Sequence, residues 1–138
     1  MHKVLLTALN EYGTEEIVGK NHNPEVLKYY KTVGQDWVKD DETAWCAAFV
    51  GHCLEVNKIQ STGSLSARSY LEWATETKDP KPGDIVILWR ISKNSAYGHV
   101  GFFIKKTYSH VYILGGNQGN TVNISKFPLS QVLGYRML

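Results

Sequence analysis

Two cysteines lie seven residues apart in the stretch ETAWCAAFVGHCLEVN, and a cysteine thiolate is a potent nucleophile. The stretch is apolar nearly all round, which predicts a central helix that is buried on most sides. Seven helical residues separate two Cα atoms by about 10 Å, beyond the limit of about 7 Å for a disulfide. We therefore expect two free thiols, one of which is a candidate nucleophile.

Cys46 falls in the first turn of this predicted helix, with Asp41 or Thr43 as a candidate N-cap. Free N–H groups and the positive end of the helix dipole favour a thiolate there, so we predict a lowered pKa for Cys46. Cys53 lies two turns deeper and lacks such a field, which indicates a small buried hydrophobe. Taken alone, Cys46 also fits that simpler interpretation.

A thiol nucleophile needs a base, and His99 is the strongest of five histidines. His52 shares the cysteine helix, but six residues rotate it by about 240° from Cys46, so it points away. His99 begins the predicted strand HVGFFIKK, and Gly101 lies on the same face, where a missing side chain would admit a helix. The others stand in terminal, loop or strand-end sequence without a link to Cys46: His2, His22 and His110.

Asn117 is the candidate third member of the site. If HVGFFIKK and HVYILGGN form a hairpin, the start of the first strand lies beside the end of the second, which places Asn117 next to His99. An Asn oxygen can accept from an imidazole N–H and so determine its tautomer. The alternative is a turn residue among glycines that bonds its own backbone.

The candidate site residues lie on a helix and on strands that follow it in the chain. Helical periodicity favours four segments: HKVLLTALNEYG, NPEVLKYYKTVG, AWCAAFVGHCLEV and SARSYLEWATET. Strand composition then favours KPGDIVILWR, HVGFFIKK, HVYILGGN, TVNIS and VLGYR. We predict an α+β fold, in which N-terminal helices pack on an antiparallel sheet of about five strands. The length of 138 residues suits one domain over residues 1–138.

Composition excludes several classes of protein. A hydrophobic fraction of 43% and a charged fraction of 20% are typical of globular domains. The formal charge of +2, with dispersed cations, argues against nucleic-acid binding, and no apolar run is long enough for membrane insertion. The opening MHKVLLTALNEYGTEE turns polar too soon for a signal peptide, so we expect cytoplasmic synthesis, delivery by another route and a monomeric protein.

Four motifs together resemble the CHAP family of cysteine, histidine-dependent amidohydrolases/peptidases, within the NlpC-type papain-like superfamily: WCAAFV, KPGDIVILW, GHVGFF and GGNQGN. The segment EEIVGKNHNPEVLKYY is similar to the lead-in of small phage and bacterial cell-wall hydrolases. The resemblance implies a papain-like fold and cleavage of amide bonds in peptidoglycan. It also implies that Cys46 is the nucleophile, His99 the base and then acid, and Asn117 the orienting residue.

The chain departs from the family pattern in two places. Many relatives carry a carboxylate in the third role or two residues before an Asn, where this chain has Gly115. Some relatives bind calcium in an acidic loop before the cysteine, but the alternating carboxylates are absent here, so we predict no metal and no cofactor. The acidic residues present are interpreted as caps and solvated charges: Asp36, Asp40, Asp41 and Glu42.

Tyr97 and Trp89 bracket the loop before His99 and are candidates for binding sugar or stem peptide, although aromatic residues beside a sheet also serve as core. Two other functions fit the same features: a non-catalytic wall-binding module, and a thiol deamidase or transglutaminase on the same scaffold. The biological setting expected is a phage endolysin or an exported effector, and an effector implies a cognate immunity protein. Either acts at the cell wall after release or export.

Overall fold

The computed structural model describes residues 2–17, 23–35 and 45–138, and begins with three helices. They are α1 (Lys3–Asn10), α2 (Pro24–Thr32) and α3 (Cys46–Glu55), followed by a 3₁₀ helix at Ala67–Glu72. The Nδ1 atom of His2 accepts from the Val4 N–H at the start of α1. Asn23 caps α2, whose first turn tolerates Pro24 because that position needs no N–H.

Six strands form one antiparallel sheet in the order β1-β6-β2-β3-β4-β5. Their bounds are β1 Thr75–Thr77, β2 Ile85–Trp89, β3 Gly98–Lys106, β4 His110–Gln118, β5 Thr121–Pro128 and β6 Val132–Met137. The predicted α+β fold of helices on an antiparallel sheet is confirmed, with one strand more than the expected five. The additional strand, β1, lies in the segment SARSYLEWATET, which we predicted as a helix; the chain turns at Ala74, whose φ is 53°, and pairs with β6.

Helix α3 is buried along almost its whole length and packs against β3 and β4. Gly116 on β4 permits this approach, since a Cβ there would lie 2.7 Å from the Trp45 ring and 2.8 Å from Phe49 Cβ. The expectation that Gly101 admits the helix is wrong: a Cβ on Gly101 would meet the Ile113 side chain on β4. Gly116 on β4, and not Gly101 on β3, is therefore the glycine that lies against the helix.

The sheet has buried apolar side chains on both faces. The helices pack on one face, and a second apolar cluster lies on the other: Val86, Leu88, Phe103, Val111 and Ile113. Leu88 is the partner of His99 in the pairing of β2 with β3, so the histidine belongs to a buried part of the sheet. Within the described ranges, no helix is long and apolar enough to cross a membrane.

Candidate active site

Cys46 is the first residue of α3, as the sequence predicts for a nucleophile at a helix start. The residue in the N-cap position is Trp45, which makes no capping hydrogen bond from its side chain. The two residues that we predicted as caps, Asp41 and Thr43, lie outside the described residues. Trp45 is instead held by its indole Nε1, which donates to Glu16 Oε1 at 3.1 Å, and its buried ring precedes the thiol directly.

Cys46 lies beside β3 where the pairing between β3 and β4 has ended. The pairing of β2 with β3 continues to Gly98, whereas the pairing of β3 with β4 stops where Phe102 lies opposite Leu114. N–H groups alternate between the two neighbours of a middle strand, and Phe103 donates to Asp84 on the β2 side. The N–H of Val100 therefore faces β4 beyond the end of that ladder, and it acts on the thiol of Cys46 instead.

The thiol is buried and protonated in the resting protein. Burial raises the pKa of Cys46, which is 6% exposed. The Val100 N–H, the Arg90 charge and the N–H groups of Ala47 and Cys46 act in the opposite direction but do not prevail. The predicted lowering of the Cys46 pKa is therefore wrong for the unliganded site, because desolvation outweighs the helix-end field.

His99 lies on β3 immediately before Val100, so the chain brings the histidine to the corner that holds Cys46. The imidazole is 1% exposed, and its centroid lies 5.3 Å from that of Phe127. Burial lowers the pKa of His99 to about 4; the Gln118 hydrogen bond opposes this shift and the Arg90 charge adds to it. His99 is neutral at neutral pH, and its Nδ1 has no hydrogen-bond partner among the described residues.

Gln118 holds the imidazole in a defined tautomer. Its Oε1 lies 2.9 Å from His99 Nε2, while its Nε2 donates to Ile113 O at 3.1 Å and to Asn123 O and Oδ1, each at 2.9 Å. Because these three acceptors require the amide N–H₂, the carbonyl oxygen must face the imidazole. Nε2 of His99 therefore carries the proton, and Nδ1 presents a free lone pair.

The hydrogen bond expected from Asn117 is made by its neighbour. A regular continuation of the β3–β4 register would put Asn117 opposite His99, but β4 contains a bulge between Gly115 and Gln118. Asn117 has a φ of 59° in this bulge and is half-buried. The additional residue in the bulge changes which side chain points at the histidine. The only feature of the sequence that could have indicated the bulge, and so Gln118, is the pair of glycines that precedes it.

The other thiol and the nearest histidine in the sequence are structural. Cys53 is fully buried, and burial raises its pKa well above the usual value. His52 Nδ1 lies 2.8 Å from Thr32 Oγ1, and its ring packs 5.0 Å from that of Tyr29. His52 thus contacts α2, which agrees with the predicted rotation away from Cys46.

The two aromatic candidates differ in accessibility. Tyr97 is 64% exposed just before β3 and is available to a ligand. Trp89 is half-buried, and its Nε1 donates to Ser130 O at 3.1 Å, which ties it to the turn before β6. The structure favours Tyr97 over Trp89 as an accessible surface beside the site.

No group of three or more His, Cys, Asp or Glu side chains that could hold a metal ion occurs in the described part of the chain. The acidic stretch before the cysteine, from Asp36 to Glu42, lies outside that part. The expectation of a metal-free site therefore stays a prediction.

The structure thus combines a cysteine at the first position of a buried helix with a histidine next to Val100, the strand residue whose N–H acts on the cysteine thiol. The family model for the CHAP domain matches residues 38–117, and the chain belongs to the CHAP family. CHAP domains are in general cysteine, histidine-dependent amidohydrolases or peptidases associated with peptidoglycan. The matched segment contains Cys46 and His99 and ends one residue before Gln118. A search of curated proteins found no match to the chain.

Proposed function

We propose that this protein is a cysteine amidohydrolase that cleaves amide bonds in bacterial peptidoglycan. Cys46 is the nucleophile, His99 the general base and acid, and Gln118 the residue that positions the imidazole. Two observations support the proposal: the N–H of Val100 acts on the Cys46 thiol, and the adjacent residue, His99, is buried and neutral, with an Nδ1 atom that has no hydrogen-bond partner among the described residues. Membership of the CHAP family supplies the substrate class.

The reaction begins from a neutral thiol and a neutral imidazole. As the Cys46 sulfur attacks the scissile carbonyl carbon, its proton passes to His99 Nδ1. The imidazolium then donates that proton to the leaving amine, the C–N bond breaks, and an acyl-enzyme remains. Water, deprotonated by the same Nδ1, attacks the thioester, releases the carboxylic acid and restores the thiol.

Two groups stabilise charge during these steps. Gln118 Oε1 accepts from His99 Nε2–H throughout, so the imidazolium keeps one hydrogen bond while Nδ1 gains and loses its proton. The backbone N–H of Cys46, at the start of α3, is the proposed donor to the oxyanion, because the first N–H groups of a helix have no intrahelical partner. Both groups are held in place before the substrate arrives.

Two kinds of bond in the polymer fit this chemistry: the amide between the glycan and the stem peptide, and the amides within or between peptides. Mass spectrometry of purified peptidoglycan after digestion distinguishes them, because the first cleavage removes the whole stem peptide from the glycan, whereas the second leaves part of the peptide attached to it. Binding to the wall without any new product would favour the non-catalytic wall-binding module. Peptide deamidation or crosslinking would favour the related thiol chemistries.

The matched test of the nucleophile compares Cys46→Ala with Cys53→Ala. We expect Cys46→Ala to abolish product formation while the protein remains folded. Cys53→Ala should retain activity and lower the thermal midpoint, because it leaves a small cavity in a fully buried position. His99→Ala should be as inactive as Cys46→Ala, and the double variant no worse, since members of one catalytic unit are not additive. Full activity of folded Cys46→Ala would overturn the assignment.

A further inference from the structure

Arg90 lies at the rim of the proposed site, just beyond the end of β2. Its N–H donates to Tyr97 O at 3.2 Å, which continues the pairing in which Leu88 lies opposite His99. Side chains two residues apart on a strand share a face, so Arg90 projects on the same face as Leu88 and His99. Diagonal neighbours of this kind have Cα atoms only about 7–8 Å apart, well within the reach of an arginine.

Arg90 is exposed, and its guanidinium forms neither an ion pair nor a hydrogen bond with the described residues. Its charge nevertheless acts on both Cys46 and His99, which agrees with a position beside them. A guanidinium that is close to the reacting groups and has no partner among the described residues can receive an anion.

The loop from Arg90 to Tyr97 is held by a second arginine. Arg68 is half-buried and donates to Tyr97 O at 2.9 Å, Lys93 O at 2.8 Å and Ser92 O at 3.0 Å. A single guanidinium thus binds three backbone carbonyls of one loop, which restrains the loop. Arg90 therefore begins a loop whose backbone is restrained by hydrogen bonds.

The same loop contains a strained residue. Ile91 has a φ of 69° and is 80% exposed. A β-branched residue at positive φ is a conformational outlier, and such strain persists only where the surroundings impose it. The restrained loop exposes Ile91 and the ring of Tyr97 on either side of its tip and leaves the Arg90 side chain at the site.

We propose that Arg90 is a specificity residue that binds a substrate carboxylate adjacent to the scissile amide, and that Ile91 and Tyr97 form the apolar rim around it. This inference rests on the proposed function. Stem peptides of peptidoglycan present carboxylates beside their amide bonds, and the planar fork of a guanidinium matches a carboxylate through two parallel hydrogen bonds.

The test uses two synthetic muropeptides that differ only in one group beside the scissile bond, a carboxylate in one and its carboxamide in the other. We expect the wild type to favour the carboxylate by about tenfold or more in kcat/KM, as a hydrogen bond to a charged group predicts. Arg90→Gln should abolish that preference mainly through KM. Lys93→Gln removes an exposed cation from the same loop and should retain the preference.

Binding without turnover separates this inference from the proposed reaction. Calorimetry with Cys46→Ala and with Cys46→Ala/Arg90→Gln measures the affinity for both peptides. A carboxylate preference that disappears when Arg90 is replaced would support the inference, even if the wild type cleaved neither peptide. Failure of the wild type to cleave either peptide would refute the proposed function alone. Equal affinity for the two peptides, or a preference that survives Arg90→Gln, would overturn the inference. An equal loss of kcat on both peptides in Arg90→Gln would also overturn the inference, since Arg90 would then act only through its electrostatic field on Cys46 and His99.

Discussion

Gln118→Leu tests the part of the site that the sequence did not predict. Leucine keeps a similar volume but removes the acceptor that lies 2.9 Å from His99 Nε2. The imidazole N–H would remain in a position that is 1% exposed, without another acceptor among the described residues. Leaving a buried donor unpaired costs about 1–3 kcal/mol.

That cost bears on catalysis because the imidazole becomes a cation during acyl transfer. If the whole cost falls on the transition state, the rate decreases by about 5- to 150-fold, since each 1.36 kcal/mol corresponds to about a factor of ten. Loss of the preferred tautomer acts in the same direction, because a proton on Nδ1 blocks the transfer from Cys46. The expected result is a fall in kcat of one to two orders of magnitude.

The assay is the pH profile of kcat/KM for a muropeptide, with circular dichroism to verify folding. In the wild type the acid limb should lie near the His99 pKa of about 4, because burial keeps the imidazole neutral above that pH. Gln118→Glu places an anion beside the ring and should move this limb to higher pH. A structural role alone would lower the yield of folded protein without moving the limb.

Two further variants complete this experiment. Asn117→Gly retains the positive φ that the bulge requires and should remain close to wild-type activity. Gly115→Ala would place a Cβ 2.6 Å from Gln118 Oε1, which must displace the carbonyl from His99, so activity should fall as in Gln118→Leu. The opposite result would refute the reasoning: Asn117→Gly would lower kcat by the amount that we expect for Gln118→Leu, and Gln118→Leu would leave kcat unchanged.

Two other predictions follow from the thiol and from the acidic stretch. Because burial raises the pKa of Cys46, alkylation by iodoacetamide should be slow at neutral pH and should accelerate as the pH becomes alkaline, with Cys53 reacting more slowly. Rapid labelling of Cys46 at acidic pH, seen by peptide mass mapping, would show instead a preformed thiolate. Excess EDTA should leave peptidoglycan hydrolysis intact, and loss of activity that calcium restores would assign a metal to the residues from Asp36 to Glu42.

Local rules in the sequence account for most of the elements. Asn23 and Pro24 start α2 as capping chemistry predicts, and apolar β-rich runs produce β2 and β3 where expected. The placement of Cys46 at a helix start and of His99 at a strand start follows from the same rules. Each depends on residues within a few positions of one another in the chain.

Other features depended on partners distant in sequence. β1 has only three residues, and its pairing with β6 makes it a strand, although we predicted a helix for this segment. Gly116, rather than Gly101, admits the helix because the packing of α3 on β4 sets that contact. No local pattern distinguishes the two glycines.

Periodicity and turn residues act over a short range, so the amino-acid sequence was enough to predict the α+β arrangement, the candidate nucleophile Cys46 and its histidine, His99. The role of Gln118 depends on the folded sheet, since one additional residue in β4 changes which side chain faces His99. The structure also decided the protonation of Cys46: a helix start favours the thiolate, but the depth of burial depends on the whole fold, and desolvation prevails.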